Sequence, residues 1–138
     1  MIKSLIDNLK NDVYCRIKVS KKHGVGVFAI KDIPKDTEPF KPTNSNYYNG
    51  RVLNIKSSEI EKLDPEVKKI IKDFYHEENG IFGIPYKGPN SNDISYYMNS
   101  SKNPNVGYKL SNKSSMIIFI TLRKIKKGEE LLINYDDF

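Results

Sequence analysis

The sequence contains one cysteine, two histidines and no tryptophan among its 138 residues. A disulfide needs two thiols, and a structural zinc site usually needs four Cys or His ligands. Because Cys15 is the only cysteine, the chain can form neither an internal disulfide nor a cysteine-based zinc site by itself. The widely spaced His23 and His76 do not form a metal-ligand pattern either. We therefore expect no metal, and we expect Cys15 to be a small buried hydrophobic residue.

Long apolar runs are also missing. No segment reaches the roughly 18 consecutive apolar residues that indicate a membrane span. In the first ten residues Lys and Asp separate the apolar positions, whereas a signal peptide contains a continuous apolar stretch. The sequence therefore predicts an intracellular protein with no membrane partner, and its length is that of a single compact domain.

Basic residues outnumber acidic ones. There are 23 Lys and Arg residues against 17 Asp and Glu residues, which gives a formal net charge of +6. Such an excess often accompanies polyanionic partners. The lysines are spread along the whole chain, however, and an A+T-rich coding sequence explains the abundance of Lys, Asn and Ile equally well.

Short apolar segments separated by turn residues indicate strands. Residues 13–19 alternate apolar and polar side chains, and a pair of glycines separates them from apolar residues 27–29, which predicts two strands around a turn. The Asn- and Tyr-rich residues 43–50 are expected to form a loop. Further short strands are expected at 38–41, 116–122 and 130–135, and residues 81–84 form a short apolar segment.

One helix is clearly predicted. Asp64 is a good N-cap residue, Pro65 suits the first helical position, and apolar residues then recur on one helical face up to Phe74. Asn79-Gly80 is expected to end this helix. Many short strands with a single helix indicate a mostly β domain built from small sheets.

Three separated segments, read in order, resemble the sequence blocks of SET-domain protein lysine methyltransferases. GVGVFA at 24–29 resembles the family's G-x-G-x-F-A block, and YMNSSKNPN at 97–105 resembles its F-I-N-H-S-C-x-P-N block. The segment 122–136 resembles the closing R-x-I-x-x-G-E-E-L block and the tyrosine that follows it. The resemblance covers nearly the whole chain and is to the minimal form of the family, similar to small viral or microbial members without pre-SET or post-SET zinc segments.

The resemblance implies a fold and a domain organisation. The fold is mostly β, the β-clip or SET fold, with small curved sheets of short strands, a knot-like C-terminal segment and one inserted helical region. The chain would form a single SET domain over 1–138. Its parts would be an N-terminal part at 13–50, a variable insert with the helix at 51–92 and a C-terminal part at 93–138.

The resemblance also implies S-adenosylmethionine as the cofactor. In the family the glycine loop holds this molecule, and glycine allows close approach of the backbone or a positive φ. The Asn of the second block hydrogen-bonds the cofactor, with Asn105 expected as a support, and Tyr135 matches the family's catalytic tyrosine. The expected cofactor-binding positions are Gly24, Val25, Gly26, Asn99, Ser100 and Tyr135.

Two positions depart from the second block of the family. Ser100 stands where the family has His, which removes an imidazole but keeps the backbone amide and carbonyl. Lys102 stands where larger members have a zinc-binding Cys, and we expect the accompanying zinc-binding segment to be missing as well. Within the third block, Glu129 and Glu130 are expected to form a solvated charge pair beside the turn.

A lysine substrate needs an apolar channel that leads to the cofactor. The ordinary pKa of a lysine is about 10.4, and desolvation beside aromatic rings and the sulfonium charge favours the neutral amine that can accept a methyl group. The hydroxyl of Tyr108 is expected to hold a water and so to favour mono- or dimethyl products. The expected channel residues are Tyr47, Tyr48, Tyr108, Ile133 and Phe138.

The implied function is methyl transfer to the ε-amine of a lysine in a protein substrate. A histone tail is the expected target, the nucleus or a host nucleus the expected place of action, and a homodimer an expected assembly. The lysines would contact the nucleosome or its DNA, whereas a basic tail needs a locally acidic surface. The candidates for that surface are Glu77, Glu78, Asp136 and Asp137.

Two alternatives stay open at this point. A degenerate SET domain without turnover would bind a protein tail or a nucleic acid through its basic surface. An unrelated nucleic-acid-binding β domain would interleave aromatic and Lys residues on one strand face. Residues 116–122 lack that pattern, so this last alternative ranks below the other two.

Overall fold

The computed structural model of the protein describes residues 2–42, 52–110 and 117–137. The chain divides into two compact units: the first is Met1–Asn49 with Tyr97–Phe138, and the second is Gly50–Tyr96. The α-helices are α1 (Ile2–Asn11), α2 (Ser57–Ile60) and α3 (Pro65–Phe74). The strands are β1 (Cys15–Val19), β2 (Val25–Ala29), β3 (Val52–Lys56), β4 (Glu77–Glu78), β5 (Ile81–Pro85), β6 (Asn99–Ser100), β7 (Val106–Leu110), β8 (Ile117–Thr121) and β9 (Glu130–Ile133).

A four-stranded sheet in the order β1-β2-β9-β6 organises the first unit. The strands β1 and β2 form an antiparallel hairpin in which Val19 lies opposite Val25. The C-terminal strand β9 pairs antiparallel with β2 and parallel with β6. Segments that are far apart in the sequence therefore meet around β9. A separate antiparallel pair, β7-β8, completes the sheets of this unit.

One face of the four-stranded sheet supplies the core of the first unit. Val27 and Leu131 lie opposite each other on β2 and β9, and both are fully buried. Burial of such side chains contributes about 1.5–3 kcal/mol each. Other buried apolar residues of this unit are Ala29, Ile33, Met98, Val106, Ile125 and Ile133. Because strand residues alternate in direction, residues 26, 28 and 130 lie on the opposite face.

The second unit has its own sheet and its own core. The sheet order is β3-β5-β4, with all neighbours antiparallel. The core cluster consists of Ile60, Ile71, Tyr75, Phe82 and Ile84. The Tyr75 hydroxyl donates to Asn92 Oδ1 at 2.6 Å, which satisfies its polar end. Tyr96 packs edge-on against the Tyr75 ring, and burial raises the pKa of Tyr96 to about 12.

The predicted helix and the mostly β fold are confirmed. Helix α3 begins at Pro65 and ends at Phe74, and the Asp64 carboxylate accepts a hydrogen bond from the Glu66 amide at 2.8 Å. This bond satisfies one of the amides that have no partner within the first turn of a helix. The hairpin β1-β2 and the strands β8 and β9 also lie where the sequence predicts strands, and the apolar segment at 81–84 lies in β5.

Helices α1 and α2 were not predicted, so the expectation of a single helix was wrong. Helix α1 carries apolar residues at Ile2, Leu5, Ile6 and Leu9, and all four are exposed. The helix is held instead by the buried Asn8, whose Nδ2 donates to the Lys41 carbonyl at 2.9 Å. None of the helices in the described part of the chain is long and apolar enough to cross a membrane.

Three local predictions were wrong. Residues 38–41 form no strand, in keeping with Pro39, which lacks an amide hydrogen for a strand ladder. Asn79-Gly80 does not end α3, because both residues have a positive φ and form the turn between β4 and β5. The last strand ends at Ile133 rather than at Tyr135. The predicted loop at 43–50 lies outside the described residues.

Candidate active site

Asn99, Glu130 and Ser20 form a polar cluster in the first unit, with Asn99 at its centre. Strand β6 places it beside Leu132 of β9, and its side chain is 9% exposed. Its Nδ2 lies 2.8 Å from Glu130 Oε2, 3.0 Å from the Val25 carbonyl oxygen and 3.2 Å from the His23 carbonyl oxygen. Asn99 thus connects the glycine loop with strands β6 and β9. The sequence analysis assigned the glycine loop and Asn99 to the same site.

Glu130 holds this cluster together from the other side. Its Oε1 accepts a hydrogen bond from Ser20 Oγ at 2.7 Å, while Oε2 accepts one from Asn99. Ser20 is buried and Glu130 is half-buried, so the expectation of a solvated carboxylate at position 130 was wrong. Hydrogen bonds to a charged acceptor are among the stronger ones in proteins, at about 1.5–3 kcal/mol.

Glu129 behaves differently from its neighbour. Its carboxylate contacts Arg123 Nη2 at 2.9 Å and accepts a hydrogen bond from the Lys126 amide at 2.9 Å. The Arg123 guanidinium and the Lys126 amide lower the pKa of this carboxyl. Glu129 therefore stabilises the turn before β9 and makes no contact with the polar cluster.

The two glycines of the loop are required for different reasons. Gly24 has a φ of +50°, a conformation that other residues rarely adopt. Gly26 has an ordinary φ, but a Cβ atom there would lie 2.3 Å from Glu130 Oε2 and 2.9 Å from Glu130 Cδ. The glycine at position 26 thus makes room for the Glu130 side chain.

Tyr135 begins the short 3₁₀ helix Tyr135–Asp137 directly after β9. Its hydroxyl donates to the Met98 carbonyl oxygen at 2.5 Å, and its backbone amide donates to Ser100 Oγ at 3.0 Å. Burial of part of the ring raises the pKa of the Tyr135 phenol. The residue is still 52% exposed and is therefore open to a partner. The expected catalytic tyrosine thus lies against the segment that carries Asn99.

Ser100 therefore has a defined contact at the position where the family has His. Its hydroxyl oxygen accepts the Tyr135 amide hydrogen, and its backbone pairs with Ile133 in the parallel ladder between β6 and β9. The side chain is exposed at the sheet surface. The serine contributes to the position of Tyr135 without an imidazole.

Asn105 is a structural support of β9. Its Nδ2 donates to the Glu130 carbonyl at 2.9 Å, and its Oδ1 accepts the Leu132 amide at 2.8 Å. The buried carboxamide thus imitates the backbone of a neighbouring strand. This arrangement fixes the strand that carries Glu130 and leads into Tyr135.

The expected substrate channel is only partly described. Ile133 is buried, and Tyr108 is 41% exposed with its hydroxyl donating to the Asp137 carbonyl at 2.6 Å. The Tyr108 hydrogen is thus directed to the C-terminal 3₁₀ helix, which leaves the oxygen as the atom that could accept from a water. Tyr47, Tyr48 and Phe138 lie outside the described residues.

Cys15 is half-buried rather than fully buried, and burial raises the pKa of its thiol to about 12. A thiol with such a pKa stays protonated at neutral pH and is a poor nucleophile. Within the ranges that the structure describes, no cluster of three or more His, Cys, Asp or Glu side chains could hold a metal ion.

Comparison with known families decides the identity of this fold. A profile of the SET domain matches residues 24–136, which include the glycine loop, Asn99 and Tyr135. The chain belongs to the SET-domain family. No curated protein matches it significantly in sequence.

Solved structures share this SET fold. A Plasmodium falciparum protein assigned as a histone methyltransferase matches with a TM-score of 0.56 at 20% identity, over 90% of this chain and 94% of that chain. Polycomb Repressive Complex 2 of Chaetomium thermophilum with the inhibitor GSK126 matches with a TM-score of 0.57 at 20% identity, over 90% of this chain and 16% of that chain. The autoinhibited complex with S-adenosylmethionine matches with a TM-score of 0.58 at 22% identity, over 91% of this chain and 15% of that chain. At such identities the likeness shows the fold alone.

Proposed function

We propose that this SET-domain protein transfers methyl groups from S-adenosylmethionine to the ε-amine of a lysine in another protein. The main support is the continuous set of contacts that joins the glycine loop, Asn99 and Tyr135 around β6. Asn99 bonds to the Val25 carbonyl, and its two neighbours along the chain, Met98 and Ser100, accept hydrogen bonds from Tyr135. These are the residues to which the family assigns cofactor binding and catalysis.

The orientation of Asn99 suits a cofactor that carries an ammonium group. Its Nδ2 hydrogens are directed at three acceptors, and no hydrogen bond to its Oδ1 is present within the described residues. An amide oxygen can accept a hydrogen bond from an amine, and S-adenosylmethionine has an α-amino group. Gly24 adds open space beside the loop, since no atom lies within 4 Å of the position of its absent Cβ.

When bound, the cofactor supplies an electrophilic methyl group on a sulfonium, and the displacement by an amine depends chiefly on alignment. The protein's part is to orient the amine. The raised pKa of Tyr135 keeps its phenol protonated at neutral pH, and its hydrogen is directed to the Met98 carbonyl. The Tyr135 oxygen can then accept a hydrogen bond from the lysine amine, which fixes the direction of the nitrogen lone pair.

The proposed substrate is a lysine in a basic protein segment, with a histone tail as the first candidate. Support comes from the Plasmodium protein, which is assigned as a histone methyltransferase. The exposed Asp136 and Asp137 follow Tyr135 directly and would attract a positively charged tail. A channel formed with Tyr108 and Ile133 remains part of the proposal, and a histone substrate would place the protein in a nucleus.

A second candidate is a SET domain that binds without turnover. It is favoured by Ser100, which replaces the family's His, and by nothing else in the described residues. Such a protein would either lack cofactor binding or bind the cofactor without transferring its methyl group. Both possibilities are distinguishable from the enzyme by separate measurements of binding and of transfer.

Calorimetric titration with S-adenosylmethionine and with S-adenosylhomocysteine tests the cofactor site. We expect binding of both compounds by the wild type and at least a 10-fold weaker affinity for Asn99→Ala. Asn103→Ala is the matched control, because Asn103 is exposed and lies in the same segment. Its affinity should equal that of the wild type. Absence of binding by a folded wild-type protein would contradict the enzyme proposal.

A further inference from the structure

Most of the net positive charge of this protein lies in and beside the β1-β2 hairpin. The segment from Val13 to Lys31 contains five Lys and Arg residues and no Asp or Glu. The rest of the chain has 18 basic and 17 acidic residues, a net charge of only +1 out of the total +6. The basic residues themselves are spread along the chain, as expected, but acidic residues are absent from this segment.

Four of these five residues form one exposed group, which we call the basic edge: Arg16, Lys18, Lys21 and Lys22. Strand β1 is the outermost strand of the sheet. Arg16 and Lys18 are two positions apart on it, so they lie on the same face about 6.6 Å apart along the strand. Lys21 and Lys22 continue the group into the turn that leads to Gly24.

The charges of the basic edge are not neutralised by the protein. None of its four residues takes part in an ion pair within the described ranges. The Lys18 ammonium lies 5.5 Å from the centre of the Phe28 ring, a contact that leaves its charge in place. A group of exposed cations without counter-charges creates a positive potential that attracts polyanions.

We propose that the basic edge binds the phosphate backbone of duplex DNA. Duplex DNA carries one negative charge per about 1.7 Å of its axis, so it offers several phosphates to a group of neighbouring cations. A folded acidic protein surface rarely offers such a continuous row of charges. Contacts to phosphates position a protein without reading base sequence, so binding should be independent of sequence. The DNA would lie beside the glycine loop, because Gly24 follows the basic turn directly.

Lysines on an edge strand also hinder pairing between sheets of different molecules. That role explains Lys18, but it does not explain Lys21 and Lys22, which lie beyond the end of β1. It also predicts no dependence of DNA affinity on these residues. The two explanations can therefore be separated by experiment.

Fluorescence anisotropy of a short labelled DNA duplex, titrated with the full chain, tests the proposal. Neutralising four phosphate contacts gives an expected slope of log K against log salt of about −3.6, which is roughly a 150-fold loss of affinity between about 50 and 200 mM salt. The test variant combines Arg16→Gln, Lys18→Gln, Lys21→Gln and Lys22→Gln. We expect its slope to approach zero and its affinity at low salt to fall at least 10-fold.

The matched control removes four exposed lysines elsewhere and has the same net charge: Lys35→Gln, Lys69→Gln, Lys109→Gln and Lys126→Gln. Its affinity and slope should stay close to those of the wild type. Equal losses in both variants would overturn the proposal, since net charge alone would then explain binding. Failure of the wild type to bind the duplex would also overturn it, as would binding only to polyglutamate or to phosphatidylserine vesicles.

Folding of the variants is checked by circular dichroism and thermal unfolding. If the fourfold variant does not fold, Lys21→Gln with Lys22→Gln is sufficient, because both residues lie in the turn outside the sheet. This double variant should lose about half of the salt dependence, with a slope of about −1.8. An unchanged slope would contradict the assignment of the basic edge.

Discussion

The close approach of Gly26 to Glu130 predicts that a larger residue at position 26 destabilises the protein. A Cβ atom at position 26 would lie 2.3 Å from Glu130 Oε2, inside any allowed contact distance. Gly26→Ala must therefore push away a carboxylate that accepts hydrogen bonds from Ser20 and Asn99. Overpacking of this kind costs about 2 kcal/mol of the free energy of unfolding.

Glu130→Ala should destabilise the protein by a similar amount, about 2 kcal/mol, because Ser20 Oγ and one Asn99 hydrogen lose a charged acceptor. In the double variant that combines Gly26→Ala with Glu130→Ala, the new methyl group at position 26 no longer contacts a carboxylate. Its total loss should then stay near 2 kcal/mol, rather than the roughly 4 kcal/mol expected from independent sites. Replacing glycine also reduces the entropy of the unfolded chain, which favours the double variant further.

Urea unfolding followed by circular dichroism measures these free energies. Gly26→Ala with Glu129→Ala is the matched control, because Glu129 is bound to Arg123 and lies outside the polar cluster. The control pair should be additive within about 0.5 kcal/mol. Additivity of the Gly26 and Glu130 substitutions would refute the account of this loop.

Three further predictions concern single residues. Tyr135→Phe removes the hydroxyl next to Met98 and should lower the rate of methyl transfer at least 100-fold while cofactor affinity, measured by calorimetry, changes less than 3-fold. Asp64→Ala removes the N-cap contact to Glu66 and should lower the free energy of unfolding by about 1 kcal/mol, measured in urea. Cys15, whose thiol pKa is raised to about 12, should react with iodoacetamide at pH 8.5 at least 100-fold more slowly in the folded protein than in denaturant. Equal rates in the two states would contradict the burial of this thiol.

Local signals in the sequence were sufficient for several elements. Helix α3 follows from an N-cap, a proline and a regular apolar spacing, all within about ten neighbouring residues. The β1-β2 hairpin follows from alternation and from glycines that can turn the chain. In both cases the deciding interactions are short-range, so the pattern itself carries the information.

Contacts between distant segments were not available from the residues alone. Ser20 and Glu130 are 110 positions apart, and nothing in the Glu129-Glu130 pair shows which carboxylate contacts Ser20 and Asn99. The need for glycine at position 26 could not be explained from the sequence either, because its partner Glu130 lies on β9, far from Gly26 along the chain. Helix α1 was missed although its apolar residues Ile2, Leu5, Ile6 and Leu9 recur at the spacing of one helical face.

The family resemblance supplied the grouping of Asn99 with the glycine loop and Tyr135, which composition and periodicity could not. The structure adds how this grouping is held: by the Glu130 carboxylate, by the Asn105 carboxamide on β9 and by Ser100 beneath Tyr135. These supporting residues carry ordinary polar side chains. Their roles become visible only when the strands are paired.

The most direct test of the central claim is transfer of a radiolabelled methyl group from S-adenosylmethionine to purified core histones by the wild-type chain. The same histones with acetylated lysine side chains serve as the control substrate. The account predicts label in the untreated histones, none in the acetylated ones, and loss of labelling with Tyr135→Phe. Cofactor binding without any labelled lysine, across histones and a lysine-rich peptide library, would contradict a methyltransferase and indicate a SET domain that only binds.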